Sequence, residues 1–412
     1  MQNLIYIIIV WSSTIISGLI NYFYHPIMLK FLSINEFAEF ESLISLFNII
    51  WVLTTGFTLF LVKEISRNIK NMDKVKSIYL YSNKILLWIG FLLYILYLLI
   101  TPFLQNFLHF ESIWPLITVW FSIVLTFQTT SINAVLQWTK KFNFLSLNWV
   151  LGAILKLICW LWFVYFGYKL YGAIWWFLLS VVILIIIDYI YIYNILKTFK
   201  LDGNFKEIQN HFKKDFKNIF HNFLLVVFIS IFMNIDIIFA KHFFSGNIAG
   251  IYSGISVFAR FLIFVGMAVE TVYYPQIMEY KKDQVPFHFL KNSGFMMFLL
   301  GLGAIIFVYF FGARALSIFD KTFSAYNTLF LFLIVYCWIF VFVNFFSKLL
   351  IGWEDYRINY VFIIFVAVLV ASLYLWWNKD VYSFVYVFIS DIFLLLLIIL
   401  YFVRSNLLNN KK

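Results

Sequence analysis

A dozen long apolar runs punctuate the chain, at about 4–24, 39–62, 82–104, 114–138, 145–166, 172–194, 218–240, 248–275, 292–311, 325–349, 358–377 and 381–403. An α-helix needs about 20 mostly apolar residues to cross the hydrocarbon core of a bilayer. Lipid offers no partner to backbone N–H and C=O groups, so segments of this length must satisfy them as helices. The pattern predicts an all-α integral membrane protein of about twelve transmembrane helices. Composition agrees: 64% of the residues are hydrophobic and 12% charged, where a soluble domain carries about a quarter charged. The first run is too long for a signal-peptide core and lacks a charged n-region, so it is expected to stay as a helix. The tight turns at 167–171 and 378–380 are the places where a re-entrant segment could replace two spans.

Basic residues orient the chain. With the N-terminus inside and strict alternation, twenty-two of the 30 Lys and Arg fall in cytoplasmic segments, six fall outside, and Lys156 and Arg260 lie within helices. That bias is the positive-inside pattern and places both termini in the cytoplasm. It also accounts for the net charge of +11 without nucleic acid.

Several kinds of chemistry are excluded or unsupported. There is no Gly-Lys pair and hence no Walker-type ATP site. Cys159 and Cys337 both lie in apolar runs and read as small core hydrophobes, and no metal-ligand spacing occurs. No cofactor is expected. Gly301-Leu302-Gly303 reads as helix packing. The outer loops are at most about a dozen residues, and the acids are not clustered. That speaks against a membrane glycosyltransferase or polymerase, and the chain is expected not to be an enzyme.

The longest loop, basic and polar, divides the chain into an N-terminal six-helix bundle (1–194), a cytoplasmic linker (195–217) and a C-terminal six-helix bundle (218–412). A faint repeat at an offset of 211 aligns Lys30 with Lys241 and Ala38 with Ala249, each at the junction of the first two helices of its half. Six is even, so both halves insert the same way up, with a pseudo-twofold along the membrane normal and a cavity between them.

Charges at bilayer depth cost about 2.5–3.5 kcal/mol each and persist facing a cavity or a partner. Arg260, in a stripe with Ser253, Ser256, Met267 and Thr271, reads as a cationic anchor for an anionic head group, because guanidinium binds phosphate bidentately. The alternative is an ion pair with an acid on another helix. Lys156, on a face with Asn148 and Gly152, offers a second phosphate contact or a pair with Asp391. Asp391 reads as counter-charge to Lys156 or Arg260 before it reads as a proton or cation site. Asp236 is expected to steady the turn into the next helix, with a coupling-ion role as the lesser reading. Asp188 and Lys348, near inner helix ends, are expected to snorkel, and Glu270 to serve as a gate.

Two uncharged stripes accompany these charges: Thr118, Ser122, Thr126, Thr129, Asn133 and Gln137 on the fourth run, and Ser13, Ser17, Asn21 and His25 on the first. Interhelical hydrogen bonds would explain them at roughly 0.6–2 kcal/mol each. Lining a wet, sugar-accepting cavity is the preferred reading of the fourth-run stripe. Asn21, Thr129, Asn133, Ser256, Lys156 and Arg260 are therefore the candidate binding residues. Asp391 and Asp236 are the candidate coupling or counter-charge residues.

The turn before the second run, Glu36-Phe37-Ala38-Glu39-Phe40, resembles the acidic-aromatic-small turn of the polysaccharide-unit flippases of the MOP superfamily. Asp236-Ile237-Ile238 followed by Ala249-Gly250-Ile251-Tyr252 is similar to that family's second-half pattern. Ala38 stands where a glycine is more usual. The resemblance implies a MATE-like fold and a bacterial cytoplasmic-membrane flippase for a polyprenyl-diphosphate-linked oligosaccharide. Its cationic cavity would alternate between the two sides, driven without ATP and coupled, if at all, to H⁺ or Na⁺. It also implies contact with membrane lipids, cooperation with a polysaccharide polymerase and other assembly proteins, and a monomer. The competing reading is a multidrug antiporter of the same superfamily. Such a protein should have an acidic cavity, whereas Lys156, Arg260 and Asp391 sum to a positive one.

Overall fold

The structure, a computed structural model, describes residues 2–67, 71–139, 141–166, 169–200, 205–278, 280, 285–317, 320–376 and 380–408. Among them the first half of the chain forms α1 (Gln2–Phe31), α2 (Ile34–Trp51), α3 (Leu53–Arg67), α4 (Met72–Phe107), α5 (Trp114–Trp138), α6 (Phe142–Tyr165) and α7 (Lys169–Leu196). The second half forms α8 (Phe205–Phe243), α9 (Gly246–Ala259), α10 (Phe261–Met278), α11 (Phe287–Ser317), α12 (Asn327–Gly352), α13 (Arg357–Trp376) and α14 (Val381–Leu408). A 3₁₀ turn, Lys321–Tyr326, precedes α12. Among the described residues, eleven helices or consecutive helix pairs are long and apolar enough to cross a membrane. α1 covers the remaining apolar run. The chain is a multi-pass membrane protein with an all-helical fold.

The turns expected at 167–171 and 378–380 include positions 167–168 and 378–379, which lie outside the described residues. Lys70, Lys140, Lys281, Lys282, Lys379, Lys411 and Lys412, which contribute to the orientation argument, lie outside them as well.

The second span of each half is split. α2 gives way to α3 at Val52, whose N–H still bonds Asn48 O at 3.3 Å. α9 gives way to α10 at Arg260, where the ladder tightens to a 3₁₀-type bond, Ile263 N to Arg260 O at 2.9 Å. Neither position is Gly or Pro, so the apolar run passes through both breaks unmarked.

The chain divides into two compact units, residues 1–223 and 224–412. The division falls inside α8, which runs unbroken from Phe205. The segment 195–217, expected as a linker, is thus helical from Phe205 onward. Lysine, which the sequence places there, is a good helix former.

Each unit is organised around its fourth span. α5 packs against α2, α3, α4, α6 and α7, and α1 lies along α6. In the second unit α12 packs against α9, α10, α11, α13 and α14, so the helix adjacencies repeat the order of the first. α8 joins this bundle through Tyr336, whose hydroxyl donates to Phe232 O at 2.5 Å. Between lipid-embedded helices there is no hydrophobic drive to associate, so close fit decides. Gly90 admits Val124 and Phe127, Gly266 admits Val341, and Gly301 admits the Trp338 indole. Tyr97 stacks on Trp120 with centroids 3.4 Å apart.

Helix ends follow from local sequence. Ser33 and Glu36 form a capping box that starts α2. Asn71 accepts from Lys74 N at 3.1 Å to start α4. α4 and α12 both end in Schellman turns. His109 and Glu354 take the left-handed position there, and Phe110 N and Asp355 N reach back to Gln105 O and Leu350 O.

Candidate functional site

In the second unit the break at Arg260 aims its guanidinium at α8. Nη2 donates to Asp236 Oδ1 at 2.6 Å, and Nη1 lies 3.5 Å from Asn234 Oδ1. Asp236 Oδ2 accepts from Ser256 Oγ at 2.7 Å and Tyr252 OH at 3.2 Å. Asp236 therefore ties the end of α8 to the whole of α9. Arg260, Ser256 and Asp236, candidate residues from separate arguments, meet in one buried cluster. The ion pair weighed as an alternative for Arg260 is the contact the structure has, and its partner is Asp236. Of the stripe around Arg260, Ser253 bonds its own helix at Ala249 O, and Thr271 bonds Met267 O beyond the break.

Asp391 is only 4% exposed on α14, and among the described residues neither carboxyl oxygen has a hydrogen-bond partner. It does not serve as counter-charge to Arg260, which Asp236 occupies. Lys156 belongs to the other unit.

Glu270 on α10 takes Lys348 Nζ at 2.6 Å and Asn344 Nδ2 at 2.7 Å. Lys348 is therefore ion-paired to a neighbouring helix rather than snorkelling.

In the first unit Lys156 on α6 is half-buried. Its Nζ lies 3.4 Å from Asn21 Oδ1 on α1 and 4.3 Å from the centroid of Tyr24, with Phe177 of α7 at 5.6 Å. Beside Tyr24, His25 Nδ1 meets Glu41 Oε1 of α2 at 2.5 Å. Among the described residues Lys156 has no carboxylate within ion-pair distance. An ammonium held over aromatic faces leaves its remaining N–H donors for a ligand. The arrangement can accept an anionic oxygen without breaking an existing ion pair.

The α5 stripe divides in two. Thr118, Ser122 and Thr126 are buried, and their hydroxyls donate to carbonyls of their own helix, at Trp114, Val119 and Ile123. Thr129, Asn133 and Gln137 continue the stripe half-buried, and Thr129 bonds Thr126 O at 2.7 Å. Asn133 and Gln137 remain available for lining, while Thr129, like the upper hydroxyls, donates to its own helix. On α1, Asn21 donates to Ser17 O at 2.9 Å while its oxygen faces Lys156.

Asp188 is not at an interface: it is 1% exposed and accepts from Asn148 Nδ2 at 2.8 Å. Asn148 thus belongs to Asp188 and not to Lys156. Gly152 packs on Leu184. Sequence reasoning missed the roles of Tyr24, Glu41 and Phe177. An acid inside the second apolar run was the available signal for Glu41. The two rings had none among so many aromatics.

A family model described as "Polysaccharide biosynthesis protein" matches residues 2–281. No curated relative matches the chain. Among solved structures, the chain resembles the inward-facing conformation of a multidrug resistance MATE family transporter of the MOP superfamily, with TM-score 0.74 and 15% identity over 97% of this chain and 98% of that one. It resembles the inward closed conformation of the lipid II flippase MurJ with TM-score 0.71 and 17% identity over 97% of this chain and 87% of the other. A MOP superfamily transporter from Pyrococcus furiosus, described as having a binding pocket of reverse polarity, gives TM-score 0.61 and 14% identity over 99% and 96% of the two chains. At these identities the likeness is one of fold.

Proposed function

We propose that this chain, which belongs to the polysaccharide biosynthesis protein family, is a flippase. Its substrate would be a polyprenyl-diphosphate-linked oligosaccharide, moved from the cytoplasmic to the outer leaflet by alternating access. The observation that carries the reading is Lys156, a cation at membrane depth with no acidic partner among the described residues, poised over Tyr24 beside Asn21. A diphosphate is the group such a cation suits. Thr129 and Asn133 supply hydroxyl and amide groups of the kind a sugar needs. Arg260 reaches a phosphate only if its pair with Asp236 opens, so it is the secondary anchor. The basic-residue bias supports both termini inside, and the family resemblance supports a bacterial cytoplasmic membrane setting. The protein works as a monomer without covalent chemistry and delivers its cargo to a polysaccharide polymerase. An inside-negative potential favours outward movement of an anion by about 2.3 kcal/mol per charge per 100 mV. Coupling to an inward proton adds to that.

The test is reconstitution in proteoliposomes with a fluorescent polyprenyl-diphosphate sugar, following its protection from an external quencher. Protein-dependent translocation that falls in Lys156→Met supports the reading. Failure to move any such lipid, together with ion-driven efflux of cationic dyes, replaces it with a multidrug antiporter.

A further inference from the structure

A second polar centre lies in the first unit, apart from Lys156. Tyr189 of α7 accepts from Asn83 Nδ2 of α4 and donates to Gln128 Oε1 of α5, both at 2.8 Å. Its chain neighbour Asp188 accepts from Asn148 of α6 on Oδ1. Four helices thus converge on the Asp188–Tyr189 pair, and Asp188 is 1% exposed. Three atoms around this network are buried with no hydrogen-bond partner among the described residues: Tyr79 OH, Gln128 Nε2 and Asn148 Oδ1.

Orphaned buried polar atoms are costly, and clustered ones are ordinarily satisfied by ordered water. The set mixes an N–H donor, an acceptor and a hydroxyl that can do either. Such a mixture suits a chain of waters and does not suit a metal cation, which would want oxygens only.

We propose that Asp188 is a proton-binding site, loaded through buried waters held by Tyr79, Gln128 and Asn148. The proton passes along the waters to Oδ2, the oxygen that Asn148 does not engage. Oδ1 keeps its bond from Asn148 in both states. The basic-residue bias puts this end of α7 at the cytoplasmic side, where an inward-moving proton is released. The titratable groups facing Asp188 are Tyr79 from α4 and Tyr189 on its own helix. α5 presents Gln128 and α6 presents Asn148. α3, with buried Glu64, packs on α4 and α5, while Glu41 of α2 is engaged by His25. Asp391 of α14, in the second unit, is also buried, and among the described residues neither of its oxygens has a hydrogen-bond partner.

That the bound proton drives transport rests on the flippase reading; the site itself does not. Infrared difference spectra of the purified protein, recorded while pH is lowered in H₂O and D₂O, test the site directly. The expected result is a protonated-carboxyl band component that is lost in Asp188→Asn and whose deuterium exchange slows in Gln128→Leu. Spectra of Asp188→Asn identical to wild type, or exchange unchanged in Gln128→Leu, would overturn it. In proteoliposomes, Asp188→Asn is expected to keep translocation without a gradient and lose its acceleration by a pH gradient; retained acceleration overturns the coupling. If the band is lost in Asp188→Asn while wild type moves no lipid-linked sugar, the flippase reading fails and the proton site stands.

Discussion

Arg260 Nη2 and Asp236 Oδ1 sit 2.6 Å apart at the point where α9 gives way to α10. Removing one member of a buried pair strands the other charge, which costs about 3–5 kcal/mol, while replacing both with neutral groups is far milder. Arg260→Ala and Asp236→Ala should each lower the unfolding midpoint in detergent. The double change Arg260→Leu with Asp236→Ala should recover much of the loss. A thermodynamic cycle on the three variants measures the coupling; losses that simply add would show that the pair is not what holds α8 to α9.

Lys156 should behave in the opposite way. Among the described residues it has no carboxylate within ion-pair distance to strand, so Lys156→Met should fold with near wild-type stability. If it contacts an anionic ligand, the loss of one charge-assisted bond, about 1.5–3 kcal/mol, lowers translocation by roughly tenfold or more. Arginine should restore much of this, because a guanidinium also stacks on an aromatic face such as Tyr24 and keeps the positive charge. Unchanged rates in Lys156→Met would remove Lys156 from the site.

Two glycines on α11 separate packing from propensity. A methyl group at Gly301 would overlap the Trp338 indole, which also donates to Met297 O at 3.1 Å. Gly303 faces open space. Gly301→Ala should therefore destabilise by about 1–3 kcal/mol through overpacking. Gly303→Ala should be neutral or stabilising by about 0.5–1 kcal/mol. Thermal unfolding of the two variants side by side decides it; equal effects would contradict the close α11–α12 fit.

The apolar runs made the helices legible, because length and hydropathy are properties of a segment. What they hid depends on azimuth and on neighbours. Asp188 reads as an inner-end residue from its position along α7, yet it turns inward to Asn148. The stripe from Thr118 to Gln137 is real as a spacing. Its upper hydroxyls bond their own backbone, which no spacing reveals. Arg260 was recognisable as a charge needing a partner. Asp236, some two dozen residues earlier, became that partner only once α9 folded back along α8. The break at Arg260 left no glycine or proline to announce it.

Asp355 provides a pH-dependent clamp outside the membrane-spanning segments. It follows the Schellman turn that ends α12, and its carboxylate accepts from Arg357 Nε and Nη2 at 2.8 and 2.7 Å and from Asn406 Nδ2 of α14 at 2.7 Å. Burial alone would raise this carboxyl. The hydrogen bonds from Arg357 and Asn406 and the guanidinium charge outweigh it and hold the group below the usual carboxylate range. A carboxyl lowered in the folded state contributes stability that is fully present above its unfolded value and is lost as pH falls through its folded one. The α12–α13 turn should therefore keep its protection at neutral pH and lose it only on acidification below the ordinary carboxylate range. Hydrogen exchange at the amides around Trp353 to Asn359 measures this. Asp355→Asn should show weak protection at every pH; an acid-dependent loss that survives in that variant would place the titrating group elsewhere.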